Sequence, residues 1–134
     1  MTDMASVVPG LSGAVEHRVD ENSTARHMVS GTVEVLGTPE LVRLMEAAAV
    51  TSLDGRLPPG STTVGIYIAV HHTAPTPVGL TVRVTATVTE VQGRRVKFDI
   101  VARDDVEPIG QATHERVLVD MERFMAGAMR KVSA

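Results

Sequence analysis

The stretch Thr38-Pro-Glu-Leu-Val-Arg-Leu-Met-Glu-Ala-Ala-Ala-Val50 decides the fold, because it is a helical pattern that is followed by a series of strand patterns. Threonine is a favourable N-cap, proline fits the first helical position, and Glu40 complements the helix dipole. The apolar residues cover nearly the whole circumference, which predicts a buried helix. The helix is predicted to end near Asp54-Gly55, before Pro58-Pro59-Gly60.

The chain after the helix reads as antiparallel β-structure. Residues 63–72 are apolar on both faces, which predicts a central strand. Residues 80–91 alternate between apolar and polar positions, as a half-buried strand does. Two further strands are predicted at 94–103 and 109–120, and a short helix at 121–131. The predicted fold class is therefore α+β, with one long helix against an antiparallel meander.

The segment before the helix is less regular. Residues 1–14 are small, polar and punctuated by glycine, so we expect them to be loosely ordered. Residues 15–19 can form a short strand, and residues 25–35 an irregular segment or a second short strand. One helix cannot cover both faces of such a sheet, so we expect the sheet to find a partner.

Composition limits the classes of function. The chain has 134 residues and a mass of 14.3 kDa, the size of one domain spanning residues 1–134. With 2% aromatic residues, a net charge of −3 and no basic tract, it is not expected to bind nucleic acid. No apolar run approaches the ~20 residues of a membrane span. The chain has no cysteine and no signal-peptide pattern, so a cytoplasmic location is expected.

A histidine pair ends the first long strand, in Gly65-Ile-Tyr-Ile-Ala-Val-His-His72. Adjacent strand residues point to opposite faces, so only one of His71 and His72 can face a given site. An imidazole with a pKa near ~6.5 is suited to proton transfer at neutral pH. A hydrogen-bonded histidine with a structural role is the alternative. Because no HxH or HExxH pattern is present, no metal site is expected.

Three further residues carry both a functional and a structural interpretation. Thr38 is either the helix N-cap alone or a hydroxyl that acts as a nucleophile or positions water. Glu46, between Met45 and Ala47 on an apolar helix, must reach a surface gap, form a pair or have a function. Gly65 indicates a bulge, a close approach of a ligand to the backbone, or tight packing of the helix on the sheet.

Basic residues on the later strands are also ambiguous. His114 and Arg116 share one face of the last strand, either as a solvated pair on a sheet edge or with Arg116 orienting the site carboxylate or binding substrate. Arg94-Arg95 follows a turn, and we interpret it as a solvated hairpin end rather than a phosphate clamp.

Several short motifs together carry a resemblance to a known family. These are His72-Thr-Ala-Pro-Thr-Pro-Val-Gly-Leu-Thr-Val, Gly93-Arg94-Arg95, Ile109-Gly110 and Thr113-His-Glu-Arg116, together with Leu44-Met45-Glu46 on the helix. Their combination, over roughly residues 25–124, resembles the fluoroacetyl-CoA thioesterase branch of the hotdog-fold thioesterases.

The resemblance implies a single hotdog domain, in which a long central helix is wrapped by a curved antiparallel sheet. It also implies a homodimer with the active site at the subunit interface, and hydrolysis of an acyl-CoA thioester. The catalytic residues would be Thr38, Glu46 and His72, with water, Thr38 or Glu46 as the nucleophile. Gly65 would offer its N–H to the thioester carbonyl, and Arg116 would support the site. No cofactor is implied, since coenzyme A is part of the substrate.

One departure from that branch concerns the substrate. In the fluoroacetyl-CoA enzyme the segment before the helix is longer and holds phenylalanines that form a lid. Here we expect the span 28–37 to be shorter, and it contains no Phe. The resemblance therefore implies the chemistry on a small acyl-CoA and not the fluorinated substrate. A hotdog hydratase or dehydratase, and a non-catalytic acyl-CoA binding protein, are the alternative functions.

Overall fold

A computed structural model describes residues 4–134 of the chain. It contains a five-stranded antiparallel sheet and one long helix, with the strand order β1-β3-β4-β5-β2. The elements in chain order are β1 (Ser12–Arg18), α1 (Thr38–Ser52), β2 (Ser61–His72), β3 (Thr81–Gln92), β4 (Arg95–Arg103), β5 (Pro108–Asp120) and α2 (Met121–Met129). Short 3₁₀ turns lie at Glu21–Ser23 and Arg130–Val132.

The core lies between α1 and one face of the curled sheet. The alternation predicted for the third and fourth strands is confirmed, because one face of each strand is buried against the helix. The buried positions are Val82, Val84, Ala86 and Val88 on β3, and Val96, Phe98 and Ile100 on β4. The predicted α+β class, with one long helix against a curved antiparallel sheet, is thereby confirmed.

The long helix differs from its prediction in two ways. It is buried on one face only, through Leu41, Leu44, Met45 and Ala48, while Val50 is 50% exposed. Its N-cap is Gly37, so Thr38 is the first helical residue and its side chain makes no capping hydrogen bond. The threonine hydroxyl is consequently available to another partner.

The prediction of a central position for β2 is wrong. Among the described residues β2 pairs only with β5 and so lies at an edge of the sheet, and Ile66 and Tyr67 are 47% and 53% exposed. A strand that is apolar on both faces shows that both faces are to be covered, but not that the same chain covers them. An exposed apolar edge of this kind is suited to pairing with another chain.

The expectation of a loose lead-in is also wrong from Met4 onward, whereas its first three residues lie outside the described part of the chain. Val7 is 3% exposed, and Gly10 donates its N–H to the Val88 carbonyl at 2.8 Å. β1 begins at Ser12 and crosses α1 so closely that a Cβ on Gly13 would lie 2.7 Å from the Ser52 Cα. The segment 25–35 is irregular, which is one of its two predicted alternatives, and it takes part in one isolated bridge, from Val35 to Pro77.

Neither helix of the described residues, 4–134, has the length and apolarity needed to cross a membrane.

Candidate active site

Thr38 and His72 form one half of the site. Thr38 Oγ1 lies 2.8 Å from His72 Nδ1, which joins the start of α1 to the end of β2. When Nδ1 is unprotonated, the threonine hydroxyl donates to it. His72 Nε2 is buried and, among the described residues, has no hydrogen-bond partner. His71 is exposed, so the two histidines face opposite ways as predicted.

Burial lowers the pKa of His72, and the nearby Ala74 backbone offsets this only in part. The imidazole is therefore neutral at pH 7, which is the form that can accept a proton.

Glu46 and Arg116 form the second half of the site. Arg116 Nη1 donates to Glu46 Oε2 at 3.2 Å, and the Glu46 side chain is 43% exposed. The guanidinium is held in place by Thr63, to which its Nε and Nη2 donate at 2.9 and 3.0 Å. Burial lowers the pKa of Arg116, which the Glu46 carboxylate opposes. A fixed cation thus orients a carboxylate that still reaches the surface.

His114 belongs to the same cluster, although its function was not predicted. The interpretation of His114 and Arg116 as a solvated edge pair is wrong, because β5 lies between β4 and β2 and the two residues are 1% and 6% exposed. His114 Nδ1 lies 2.8 Å from the Tyr67 carbonyl, and its Nε2 lies 3.2 Å from Arg116 Nη1. An Nδ1–H tautomer satisfies both contacts, donating to the carbonyl and accepting from the guanidinium.

The environment keeps His114 neutral. Burial lowers its pKa first and the charge of Arg116 lowers it further, against the opposing influence of the Tyr67 carbonyl, Glu46 and Glu115. Its ring stacks on Phe98, with the centroids 5.8 Å apart. The shared face of residues 114 and 116 was the available sequence signal, but only the strand order shows that this face is buried.

Gly65 lies against the Glu46 carboxylate. The β2–β5 register shifts between Gly65 and Tyr67, so the predicted bulge is present. A Cβ on Gly65 would lie 2.7 Å from Glu46 Oε2 and 3.4 Å from Arg116 Nη1. Two of the predicted alternatives, the bulge and the tight packing of the helix on the sheet, are therefore both present. Because Gly65 has no side chain, its backbone lies directly against the Glu46 carboxylate.

One chain does not bring the two halves together. Glu46 lies eight positions after Thr38 on α1, which corresponds to ~12 Å along the helix axis. His72 lies seven positions after Gly65 on β2, or ~23 Å along the strand. The chain thus presents a threonine–histidine pair and a separate group of Glu46, Gly65 and Arg116.

Two buried residues outside the predicted site support the Thr38–His72 half. Thr76 is fully buried and donates its hydroxyl to Asp104 Oδ2 at 2.8 Å, while its carbonyl accepts the Leu36 N–H at 2.8 Å. Asp104 Oδ1 accepts the N–H groups of Val106 and Glu107 at 2.8 and 2.9 Å. This Thr76–Asp104 contact ties together the chain before α1, the loop after β2 and the β4–β5 turn. Neither residue was singled out from the sequence as part of the site.

Within residues 4–134, no group of three or more His, Asp or Glu side chains is arranged to hold a metal ion.

Fold and site together define a class, the hotdog-fold thioesterases. A thioesterase superfamily member from Thermus thermophilus has a similar structure, with a TM-score of 0.90 and 26% identity over 97% of this chain and 96% of the other. A family model described as fluoroacetyl-CoA-specific thioesterase (FlK) matches residues 19–122. The chain belongs to this family.

Two relatives show how similar the chain is to characterised members. It is 40% identical over 122 residues to the fluoroacetyl-CoA thioesterase of Streptantibioticus cattleyicolor, covering 87% of this chain and 88% of the relative. A solved structure of a threonine-to-serine variant of FlK in complex with acetyl-CoA has a TM-score of 0.88 and 37% identity, covering 93% of this chain and 98% of that one.

Proposed function

We propose that the protein hydrolyses a small acyl-CoA thioester to a carboxylate and CoA, at a site that two protomers complete. Its family and its characterised relatives support acyl-CoA thioester hydrolysis. The observation that carries the proposal is the 2.8 Å contact between Thr38 Oγ1 and the neutral imidazole of His72, because it supplies a base already joined to a hydroxyl.

The proposed chemistry begins with proton transfer to His72. The imidazole takes a proton from the nucleophile, and then protonates the departing CoA thiolate. The Gly65 N–H stabilises the oxyanion, a contact typically worth ~10²–10³ in rate. Glu46, oriented by Arg116, stands on the other side of the reacting carbon to activate or deliver the nucleophile. These side chains suffice for hydrolysis, so we propose that no metal or other cofactor takes part.

A homodimer unites the two halves in this proposal. The exposed edge of β2 carries Ile66 and Tyr67, and pairing of this edge with the same edge of a second copy would cover both. Thr38 and His72 of one protomer would then face Glu46, Gly65 and Arg116 of the other. A cytoplasmic location is proposed as well, consistent with the absence of cysteine.

A thiol-release assay with a series of short-chain acyl-CoA esters tests the activity. We expect CoA thiol to appear with turnover, and the rate to be unchanged by EDTA. A hydratase would alter an enoyl-CoA without releasing thiol, and a binding protein would retain the ester intact. Either result would refute the proposed hydrolysis.

A further inference from the structure

A cavity of about 670 Å³ opens where β2 begins and β5 ends, beyond the Glu46 half of the site. One wall is the rigid pair Pro58-Pro59, and another is the β3–β4 turn with Arg94. The first turn of α2 contributes Arg123 and Phe124. The Met121 N–H donates to the Gly60 carbonyl at 3.0 Å, which fixes the start of α2 against the proline turn.

This cavity continues the surface on which Gly65 lies. Ser61 pairs with Asp120, Thr63 with Leu118 and Gly65 with Arg116. Alternate strand residues share a face, so the cavity and the Glu46 group lie on the same side of the sheet. Four residues of β2 separate Ser61 from Gly65, which places the cavity ~13 Å from the proposed oxyanion contact.

The cavity lining is suited to a phosphorylated ligand. Among residues 4–134, neither Arg94 nor Arg123 has an ion-pair or hydrogen-bond partner for its side chain, although the protein as a whole carries a charge of −3. Asp120 is the one acidic residue of the lining, and its carboxylate accepts the Arg123 N–H at 2.9 Å as a helix cap. Guanidinium groups bind phosphate oxygens through paired, charge-assisted hydrogen bonds.

An aromatic ring stands beside these charges. Phe124 is 45% exposed, on a helix none of whose residues is buried. An exposed ring next to two guanidinium groups provides a face on which a purine base can stack.

We infer that this cavity binds the phosphorylated adenine nucleotide of the CoA thioester. The inference rests on the proposed function for the placement of the thioester at Gly65. The pantetheine arm of CoA separates the thioester from the pyrophosphate, and here it would follow the β2 surface from Gly65 to the cavity. Arg94 and Arg123 would contact the phosphates, and Phe124 the adenine. Arg94 and Arg123, far apart in the chain, line the same cavity. Arg94, exposed at the end of its hairpin as expected, would then also contact a phosphate.

The test compares acetyl-CoA with acetyl-pantetheine, which has the same thioester but no nucleotide. We expect Arg94→Ala and Arg123→Ala each to raise KM for acetyl-CoA by about tenfold with kcat unchanged, which is the size of one charge-assisted hydrogen bond. KM for acetyl-pantetheine should not change. Phe124→Ala should also raise KM for acetyl-CoA alone. Arg18→Ala, an equal charge change at the opposite edge of the sheet, is the matched control and should alter neither KM.

Several results would overturn the inference. One is an unchanged KM for acetyl-CoA in the arginine variants, and another is an equal rise for both substrates. Calorimetric titration with CoA and with pantetheine measures binding to the same site without turnover. In the arginine variants only the affinity for CoA should fall. Failure of the wild type to release thiol from either ester would instead refute the proposed function, and the titration would still decide the nucleotide site. Circular dichroism and thermal unfolding of each variant confirm that it is folded.

Discussion

At the residue scale, His72 and His71 provide a matched pair for testing the catalytic base. His72→Ala should lower kcat for thioester hydrolysis by ~10²–10⁴, the usual span for a positioned acid–base group. His71→Ala should have little effect, because its side chain is exposed on the other face. A larger loss in the His71 variant would show that the base has been assigned to the wrong face.

The pH dependence of kcat/KM also tests whether His72 is the catalytic base. Burial lowers the pKa of His72, so the base stays neutral, and the enzyme active, to a lower pH than an exposed imidazole would allow. The acid limb of kcat/KM should therefore lie below ~6.5, and activity should fall as pH drops through it. An acid limb above that value would contradict the assignment.

Gly65 is tested by adding one methyl group. In Gly65→Ala the new Cβ would meet Glu46 Oε2 at 2.7 Å, and the flexible carboxylate would move rather than the backbone. We expect kcat to fall by at least tenfold while the thermal unfolding midpoint changes by only a few degrees. Full activity in this variant would mean that the position of Glu46 does not matter.

At the element scale, the Thr76–Asp104 contact joins three connections around the Thr38–His72 half. Burial favours the protonated form of Asp104, but the N–H groups of Glu107 and Val106, the Thr76 hydroxyl and the charge of Arg103 together hold its pKa below the ordinary value. The carboxylate therefore stabilises the fold above the unfolded-state pKa of about 4, and this contribution is lost as pH falls through the lower folded pKa.

Asp104→Asn tests this contribution. The free energy of unfolding should fall by about 1 kcal/mol at pH 7, and the difference from wild type should shrink toward pH 3. Urea unfolding at the two pH values measures it. Asp105→Asn is the control, since Asp105 accepts a single exposed hydrogen bond, from the Thr81 N–H. A difference that does not depend on pH would show that the charge of Asp104 is unimportant.

Residues of the segment before α1 line a cavity beside Thr38 and His72, where we expect the acyl group to bind. The cavity measures about 300 Å³, and the described residues of its lining include no Phe, Tyr or Trp. Its other walls are aliphatic or small, and include Ala25, Ser30, Gly31, Val33, Val35 and Leu36. A loose aliphatic wall separates fluorine from hydrogen only weakly.

We therefore expect similar kcat/KM values for acetyl-CoA and fluoroacetyl-CoA, once each is divided by its uncatalysed hydrolysis rate. Steady-state kinetics of both esters, on one enzyme preparation, provide the comparison. A preference for the fluorinated ester of several orders of magnitude beyond the uncatalysed ratio would place selectivity in residues other than an aromatic lid.

At the scale of the whole molecule, the sequence predicted which side chains of β3 and β4 are buried better than it predicted which strands and side chains lie next to each other. The alternation in β3 and β4 was sufficient to place Val82, Val84 and Phe98 in the core, because period-two patterns report burial directly. In β2 the apolar residues on both faces led to a wrong prediction of a central strand, since they do not show which chain covers an apolar face. The structural contacts of His114, Thr76 and Asp104 were not predicted, because His114 meets the Tyr67 carbonyl and Thr76 meets Asp104 across segments distant in sequence.

The central claim is that two protomers complete each site, and subunit mixing tests it most directly. His72→Ala and Glu46→Gln each remove one half, so each homodimer alone should be nearly inactive. In a hybrid dimer, one of the two sites would pair an intact His72 with an intact Glu46 from the other protomer. Random mixing makes half of the dimers hybrid, so activity should recover to about a quarter of wild type. Native mass spectrometry verifies the hybrids, and hybrids that form without any recovered activity would contradict a site shared between protomers.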